Sequence, residues 1–293
     1  MDGVVVVDKE SGWTSHDVVS KMRRIADTKR IGHLGTLDPI ATGVLPLVIG
    51  RATRLAQFYT RRDKIYEALV RFGFATDTYD REGTPTSPET EPHIDAQELE
   101  RLLDGFRGEI LQVPPPVSAK KINGVRAYKL ARRQTPVDLP ASPVHVYELT
   151  LLEVRGPEVR LRAHCSGGTY VRSIAHDLGQ LLGCGAHLHD LRRIASAEFT
   201  VQQAHTLTQL QELAAGNRFG ESLIPCGAMV PDFPIVYVEP LTVGQIRQGR
   251  NFQVSPFRLQ KGTRYVRAIS GEGDLIAIGE IALPNLYHPV VVL

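Results

Sequence analysis

Gly32-His33-Leu34-Gly35-Thr36-Leu37-Asp38-Pro39-Ile40-Ala41-Thr42-Gly43-Val44-Leu45-Pro46 sets one carboxylate, Asp38, among three glycines and two prolines within fifteen residues. Glycine reaches backbone angles that other residues avoid, and Pro39 pushes Asp38 out of the helical region. An Asp-Pro pair is by itself an ordinary turn, because the aspartate can bond its own downstream backbone. An acid pinned between such a turn and a proline is also held in one orientation, as a nucleophile or general base requires.

Outward from this segment, periodicity gives a coarse map. Val4 to Val7 reads as a short buried strand. Thr14 or Ser15 caps a helix with Val18, Val19, Met22 and Ile25 at helical spacing. Contiguous Ser15-His16-Asp17 on one helical turn cannot converge as a hydrolytic triad. Residues 52 to 59 read as a short helix. Residues 64 to 74 alternate as a strand, with Tyr66, Ala68, Val70, Phe72 and Phe74 on one face and Glu67 and Arg71 on the other. Asp95 with Glu98 opens a helix through about Gly105. Asn123-Gly124 is a tight-turn signal, and residues 126 to 133 look helical. Strands are expected at 144–154 and 158–165, then a helix at 171–182 and an extended piece from Leu191 to Val201. Residues 215 to 234 are rich in glycine and proline, and the boundary is drawn there: one domain at 1–234 and a second at 235–293. Four short β-like pieces in the second, at 235–238, 265–269, 275–281 and 290–293, fit a small β-barrel.

Composition excludes several classes. The chain has 293 residues, 42 % hydrophobic and 23 % charged, with a net charge of +2. That is an ordinary globular balance, and no run approaches the length of a membrane span. Cys165, Cys184 and Cys226 are scattered and form no C-x-x-C pair, which suggests reduced thiols in a cytoplasmic setting. Cys184-Gly-Ala-His187-Leu-His189 is better read as a turn after a helix than as a metal cluster, since a closed zinc site needs four ligands. No phosphate loop, dinucleotide fingerprint or H-E-x-x-H motif occurs, so neither a cofactor nor a metal is expected.

Charge is unevenly spread. Residues 77–100 carry eight acids and one base, whereas residues 120–133 carry six bases and no acid. The basic run comprises Lys120, Lys121, Arg126, Lys129, Arg132 and Arg133. It fits a surface aimed at a polyanion and equally a solvated helix face.

The string from Gly32 to Leu45 resembles the catalytic motif of the TruB family of tRNA pseudouridine synthases. The resemblance covers most of residues 3–200 and continues more weakly to the end. Asp8-Lys9-Glu10-Ser11-Gly12-Trp13-Thr14-Ser15 is similar to the family's opening D-K-P-x-G-x-T-S, with Glu10 in place of the usual proline. Gly168-Thr169-Tyr170-Val171-Arg172-Ser173 looks like the family's G-T-Y-I-R-[ST], and Lys64-Ile65-Tyr66 like its K-x-Y.

The resemblance implies an α+β fold. It has a mixed, mainly antiparallel sheet flanked by helices and a small C-terminal PUA-like RNA-binding barrel. It implies an isomerase that converts uridine 55 in the TΨC arm of tRNA into pseudouridine by flipping the base out of its loop. In that scheme Asp38 is the nucleophile, acting by attack at C1′ or through a glycal, and either route needs it ionised. Arg172 is its charge partner, and a cation within about 4 to 6 Å favours a charged carboxylate. Without the motif, Arg172 would read as a surface arginine. Tyr66 would stack on the base and accept a proton, although its strand position also fits plain core packing. Leu191, Lys64 and Tyr170 would bind the substrate, and His33 would stack within the RNA loop. Residues 114–143, with their basic run, would form a thumb that clamps the T-arm. Relatives that serve guide-RNA particles lack that thumb. A role in remodelling tRNA, independent of chemistry, stays open. The only partner implied is tRNA, with no membrane and no obligate protein, so a monomer is expected.

Overall fold

The computed structural model describes residues 1–118, 121–122, 125–126, 139–255, 257, 259–260 and 262–293. Its strands are β1 (Gly3–Lys9), β2 (Ile31–His33), β3 (Thr42–Ile49), β4 (Lys64–Phe72), β5 (Gly108–Gln112), β6 (Lys121–Ile122), β7 (Val125–Arg126), β8 (Ser142–Arg155), β9 (Glu158–Cys165), β10 (Ala186–Ser196), β11 (Phe199–Thr200) and β12 (Ile224–Pro225). They are followed by β13 (Ile235–Val238), β14 (Phe252–Gln253), β15 (Tyr265–Ser270), β16 (Leu275–Leu283) and β17 (Leu286–Val292). The helices are α1 (Ser15–Ile25), α2 (Ala96–Asp104), α3 (Val171–Leu181), α4 (Leu207–Ala215) and α5 (Pro240–Arg247).

The large sheet runs β12-β1-β3-β10-β4-β9-β8-β5, with β2 on β3 and β11 on β10. Within it only β3 and β10 pair in parallel, so it is mixed and mainly antiparallel. Helices α1 to α4 bury Val18, Leu99, Ile174, Leu210 and their neighbours in one cluster with the inner face of this sheet. Strand β4 alternates as its sequence requires: Tyr66, Ala68, Val70 and Phe72 are buried, and Glu67 faces out opposite Arg162 of β9. Strand β1 is buried on both faces. Val5 and Val7 enter the helix-covered core, while Val4 and Val6 enter a second cluster with Ile269, Leu275, Ile278 and Val291 of the C-terminal sheet. That double burial explains an unbroken valine run.

The C-terminal sheet, β13-β15-β16-β17-β14, has its own core under α5, with Ile246, Phe252 and Tyr287 in it. The linker leading to it is gripped from both sides. Arg267 donates to the carbonyls of Phe233 (2.8 Å), Gly227 (2.9 Å) and Pro231 (3.2 Å). The Tyr59 hydroxyl donates to Glu198 and accepts the Val230 amide at 2.8 Å.

Several expectations need correction. Residues 42–49, which hold the second half of the opening segment, form a central strand. Gly43 there has φ +96, and a Cβ on it would lie 2.3 Å from the Arg193 carbonyl, so only glycine lets β3 and β10 meet. Residues 186–190, expected as a turn, begin strand β10, with His187 buried and hydrogen-bonded through Nδ1 to the Phe74 carbonyl at 3.2 Å. Helices α4 and α5 were not anticipated, although Thr206 with Gln209 forms a full capping box and Pro240 stands at a first helical position. Arg126, expected in a helix, lies in strand β7, which pairs with β6, while the expected Asn123-Gly124 turn lies outside the described residues. The rest of the expected helix, 127–133, lies outside the described residues.

Candidate active site

The Asp38 segment leaves β2 and turns before β3. The Ala41 amide donates to the Asp38 carbonyl at 3.1 Å, closing a turn with Pro39 in its second position. Side chains from distant elements then grip the backbone on either side. The Ser15 hydroxyl accepts from the Leu37 amide at 2.8 Å and donates to the Leu37 carbonyl at 3.1 Å. Lys9, almost wholly buried, donates to the carbonyls of Pro39 (3.2 Å), Trp13 (2.8 Å) and Glu10 (2.9 Å). The Gly12 amide also donates to Pro39, at 2.9 Å. Arg193, fully buried, donates to Val44 (2.7 Å), Gly35 (3.1 Å) and Thr36 (3.3 Å). Glu10, which stands where the resembled motif has proline, takes part through its carbonyl. Burial pushes the Lys9 ammonium down to about 8, against the opposing pull of Asp38.

The Asp38 carboxylate faces a cavity of about 550 Å³, within the usual range for small-ligand sites. It is the one carboxylate among the described residues that line the cavity, beside Lys64, Tyr66, Tyr170, Arg172 and Leu191. Asp38 Oδ2 lies 2.9 Å from Arg172 Nε. The Nε–H is not aimed at that oxygen, so the pair is a charge contact rather than an aligned hydrogen bond. The Asp38 side chain keeps 35 % exposure, whereas that of Arg172 keeps 5 %.

Arg172 sits in the first turn of α3. Its Nη1 donates to the Thr78 carbonyl at 3.1 Å and to Asp80 Oδ2 at 3.2 Å, and its Nη2 donates to the Val117 carbonyl at 3.0 Å. Asp80 is itself buried and held by Thr78 Oγ1 at 2.6 Å and the Glu82 amide at 3.1 Å. Gln112 fixes the residue before α3's first turn, accepting from the Tyr170 amide at 2.7 Å and donating to its carbonyl at 3.0 Å.

Tyr66 belongs both to the core cluster and to the cavity lining, so packing and site roles coexist. Burial raises its phenol pKa, with the Arg193 guanidinium opposing the shift. Arg193 stands opposite Tyr66 across the β4–β10 ladder. Burial likewise raises the phenol pKa of Tyr170. Lys64 is pushed down to about 8, first by burial and then by the Arg193 charge, and its ammonium donates to the Arg62 carbonyl. His33 is half-buried on β2 with Nδ1 accepting a long bond from the Gly35 amide at 3.4 Å, and the structure does not bring it into the cavity lining. Pro114, Ser142 and Pro143, from the two ends of the expected thumb, do line it. Lys120, Lys129, Arg132 and Arg133 lie outside the described residues, and only the backbone strand positions of Lys121 and Arg126 are described.

Sequence reading missed Asp80, Lys9, Ser15, Gln112 and Arg193 as site residues. Asp80 was hidden in an acidic run that reads as solvated. Lys9 and Ser15 stand in the opening motif, whose spacing was the available signal.

The chain matches the TruB family pseudouridylate synthase N-terminal domain over residues 23–171 and the tRNA pseudouridylate synthase B C-terminal domain over 172–229. It is 64 % identical over 293 residues to tRNA pseudouridine synthase B of Solibacter usitatus, covering all of both chains. It is 42 % identical over 281 residues to the protein of that name in Aromatoleum aromaticum, covering 96 % of this chain and 89 % of the other. Among solved structures it resembles a chain in the crystal structure of a Cbf5-Nop10-Gar1 complex, with TM-score 0.74 and 26 % identity over 97 % of this chain and 79 % of that one. By class the protein is a pseudouridine synthase, an isomerase acting on RNA. It belongs to the TruB family. The join between the two matched regions, at 171/172, falls at the start of α3, and β10 beyond it pairs with β3 and β4 before it, so the join is not a structural boundary.

Proposed function

We propose that this enzyme converts uridine 55 in the TΨC arm of tRNA into pseudouridine, with Asp38 as the group that acts on the sugar. The observation that carries the reading is the one carboxylate among the described lining residues, half-open to the cavity and 2.9 Å from a buried guanidinium. The relatives named above are tRNA pseudouridine synthases, which supports tRNA as substrate. The target uridine leaves its loop, at a cost of a few kcal/mol, and enters between Tyr66 and Leu191. A stacked aromatic face returns about 1 to 3 kcal/mol. Asp38 acts while the glycosidic bond breaks, the base turns, and the bond re-forms through carbon. Arg172 balances its charge throughout. A buried phenol keeps its proton, so Tyr66 begins the reaction as a stacking face and accepts a proton only as its own hydroxyl proton is handed on. Lys64 and Tyr170 shape the cavity. His33 works at its edge on the extruded loop.

In the same reading, residues 114–143 clamp the RNA through Lys120, Lys121, Arg126, Lys129, Arg132 and Arg133. Residues 235–293 form a PUA-like RNA-binding unit beside a catalytic unit of residues 1–234. The enzyme acts in the cytoplasm as a monomer.

The test is incubation with unmodified tRNA followed by mapping of pseudouridine at single-nucleotide resolution. Wild type should yield one modified position, 55, and Asp38→Asn should bind the RNA without converting it. Modification at another position would overturn the site assignment. Turnover by Asp38→Asn would overturn the role of the acid.

A further inference from the structure

Arg172 is not the only residue by which α3 holds the loop that carries Asp80. One helical turn further on, the His176 ring stacks on Tyr79 with centroids 3.7 Å apart and planes 9° from parallel. Tyr79 lies between the two residues that receive Arg172, Thr78 and Asp80. The same face of α3 therefore meets the same loop twice, once through a guanidinium and once through a ring.

Two further observations bear on this contact. Tyr79 has φ +65, a left-handed conformation that is unusual for an aromatic residue and suits glycine or asparagine. Such a residue persists where its surroundings over-determine it. Moreover, His176 Nδ1 is buried with no hydrogen-bond partner among the described residues. That nitrogen does not hold the ring in place, and the parallel stack on Tyr79 does contact the ring. The loop is also tied to β10, where the Leu188 amide donates to the Tyr79 carbonyl at 3.0 Å and the Arg81 amide to the Leu188 carbonyl at 3.0 Å. Its register against the sheet is thus fixed by backbone bonds, and its distance from α3 by the ring pair and Arg172.

We infer that the Tyr79–His176 stack is a positioning device for catalysis, setting the loop–helix spacing that holds the Arg172 guanidinium beside Asp38. The inference rests on the reading of Asp38 and Arg172 given above. Neither ring lines the cavity, so neither is assigned contact with the RNA.

The experiment measures single-turnover rate and RNA affinity on an unmodified tRNA transcript for Tyr79→Gly, His176→Ala, the double variant, Tyr79→Phe and Asp38→Asn. Tyr79→Gly removes the ring while suiting the left-handed backbone, so it is expected to fold. The rate should fall roughly two- to tenfold in each single ring-deletion variant, the range an aromatic pair supplies, with affinity unchanged. The double variant should be no slower than either single one, because all three delete one contact. Tyr79→Phe should run at the wild-type rate. A wild-type rate in Tyr79→Gly, an additive loss in the double variant, or an equal loss in Tyr79→Phe would each overturn the inference. An active Asp38→Asn would instead overturn the underlying reading of the site.

Discussion

Asp38 and Arg172 meet at one cavity but are held there in opposite ways. The acid is fixed through its backbone: Ser15, Lys9 and Arg193 grip the peptide groups from Gly35 to Pro39, and the carboxylate is left half-open. The arginine is fixed through its head group, which is buried on the carbonyls of Thr78 and Val117 and on Asp80. The difference fits two duties. A group that must meet the substrate needs free lone pairs in a set position, so its support comes from behind. A group that only balances charge can be immobilised outright, and a cation held in a dry setting acts more strongly than one in water.

Removing the exposed member should do the most damage. Asp38→Asn should lower the single-turnover rate by at least about 10³-fold, since it deletes the reacting group. A loss under tenfold would mean that the support, not the acid, carries the activity.

Asp80→Ala frees one side of the arginine and leaves a buried charge with a single acidic partner. It should cost about 3 kcal/mol of stability and, by letting Arg172 drift, on the order of 10² in rate. Denaturant melts and single-turnover assays read the two effects, and loss of stability alone would confine Asp80 to the fold.

Lys64→Met tests the wall of the cavity that the two share. The folded state lowers the Lys64 ammonium from its ordinary value of 10.5 to about 8, so charged Lys64 costs the fold stability below pH 8. That cost fades as pH rises toward 10.5. The stability of the variant relative to wild type should therefore shrink across this window by about 3 kcal/mol, which melts at several pH values would detect. A constant difference would mean that Lys64 is not buried as a cation.

Ser15→Ala is the mildest cut. It strands the Leu37 amide and should cost about 1 to 2 kcal/mol by melting, with a rate loss well short of that from Asp80→Ala. A rate loss as large as that from Asp80→Ala would reverse the ranking of the two supports.

The same contrast separates what the chain discloses from what it hides. The Asp38 mount was legible because glycine, proline and acid occur together in one short segment. The alternation of β4 and the capped start of α2 were legible because a half-buried strand and a capped helix each impose a local pattern. The arginine's support was not legible, because Thr78, Asp80 and Val117 come from segments joined only by the fold. The first half of strand β10 hid for a related reason, and although the second half read as extended, nothing there told that Arg193 is fully buried on the carbonyls of Gly35, Thr36 and Val44. Local propensity carries no trace of such distant carbonyls.

The linker gripped by Arg267, and the apolar cluster in which Val4 and Val6 meet Ile278 and Val291, have a thermal consequence. Neither sheet can lose its packing without exposing part of the other's. The chain should melt in a single calorimetric transition, and a fragment confined to 235–293 should lack a cooperative transition of its own.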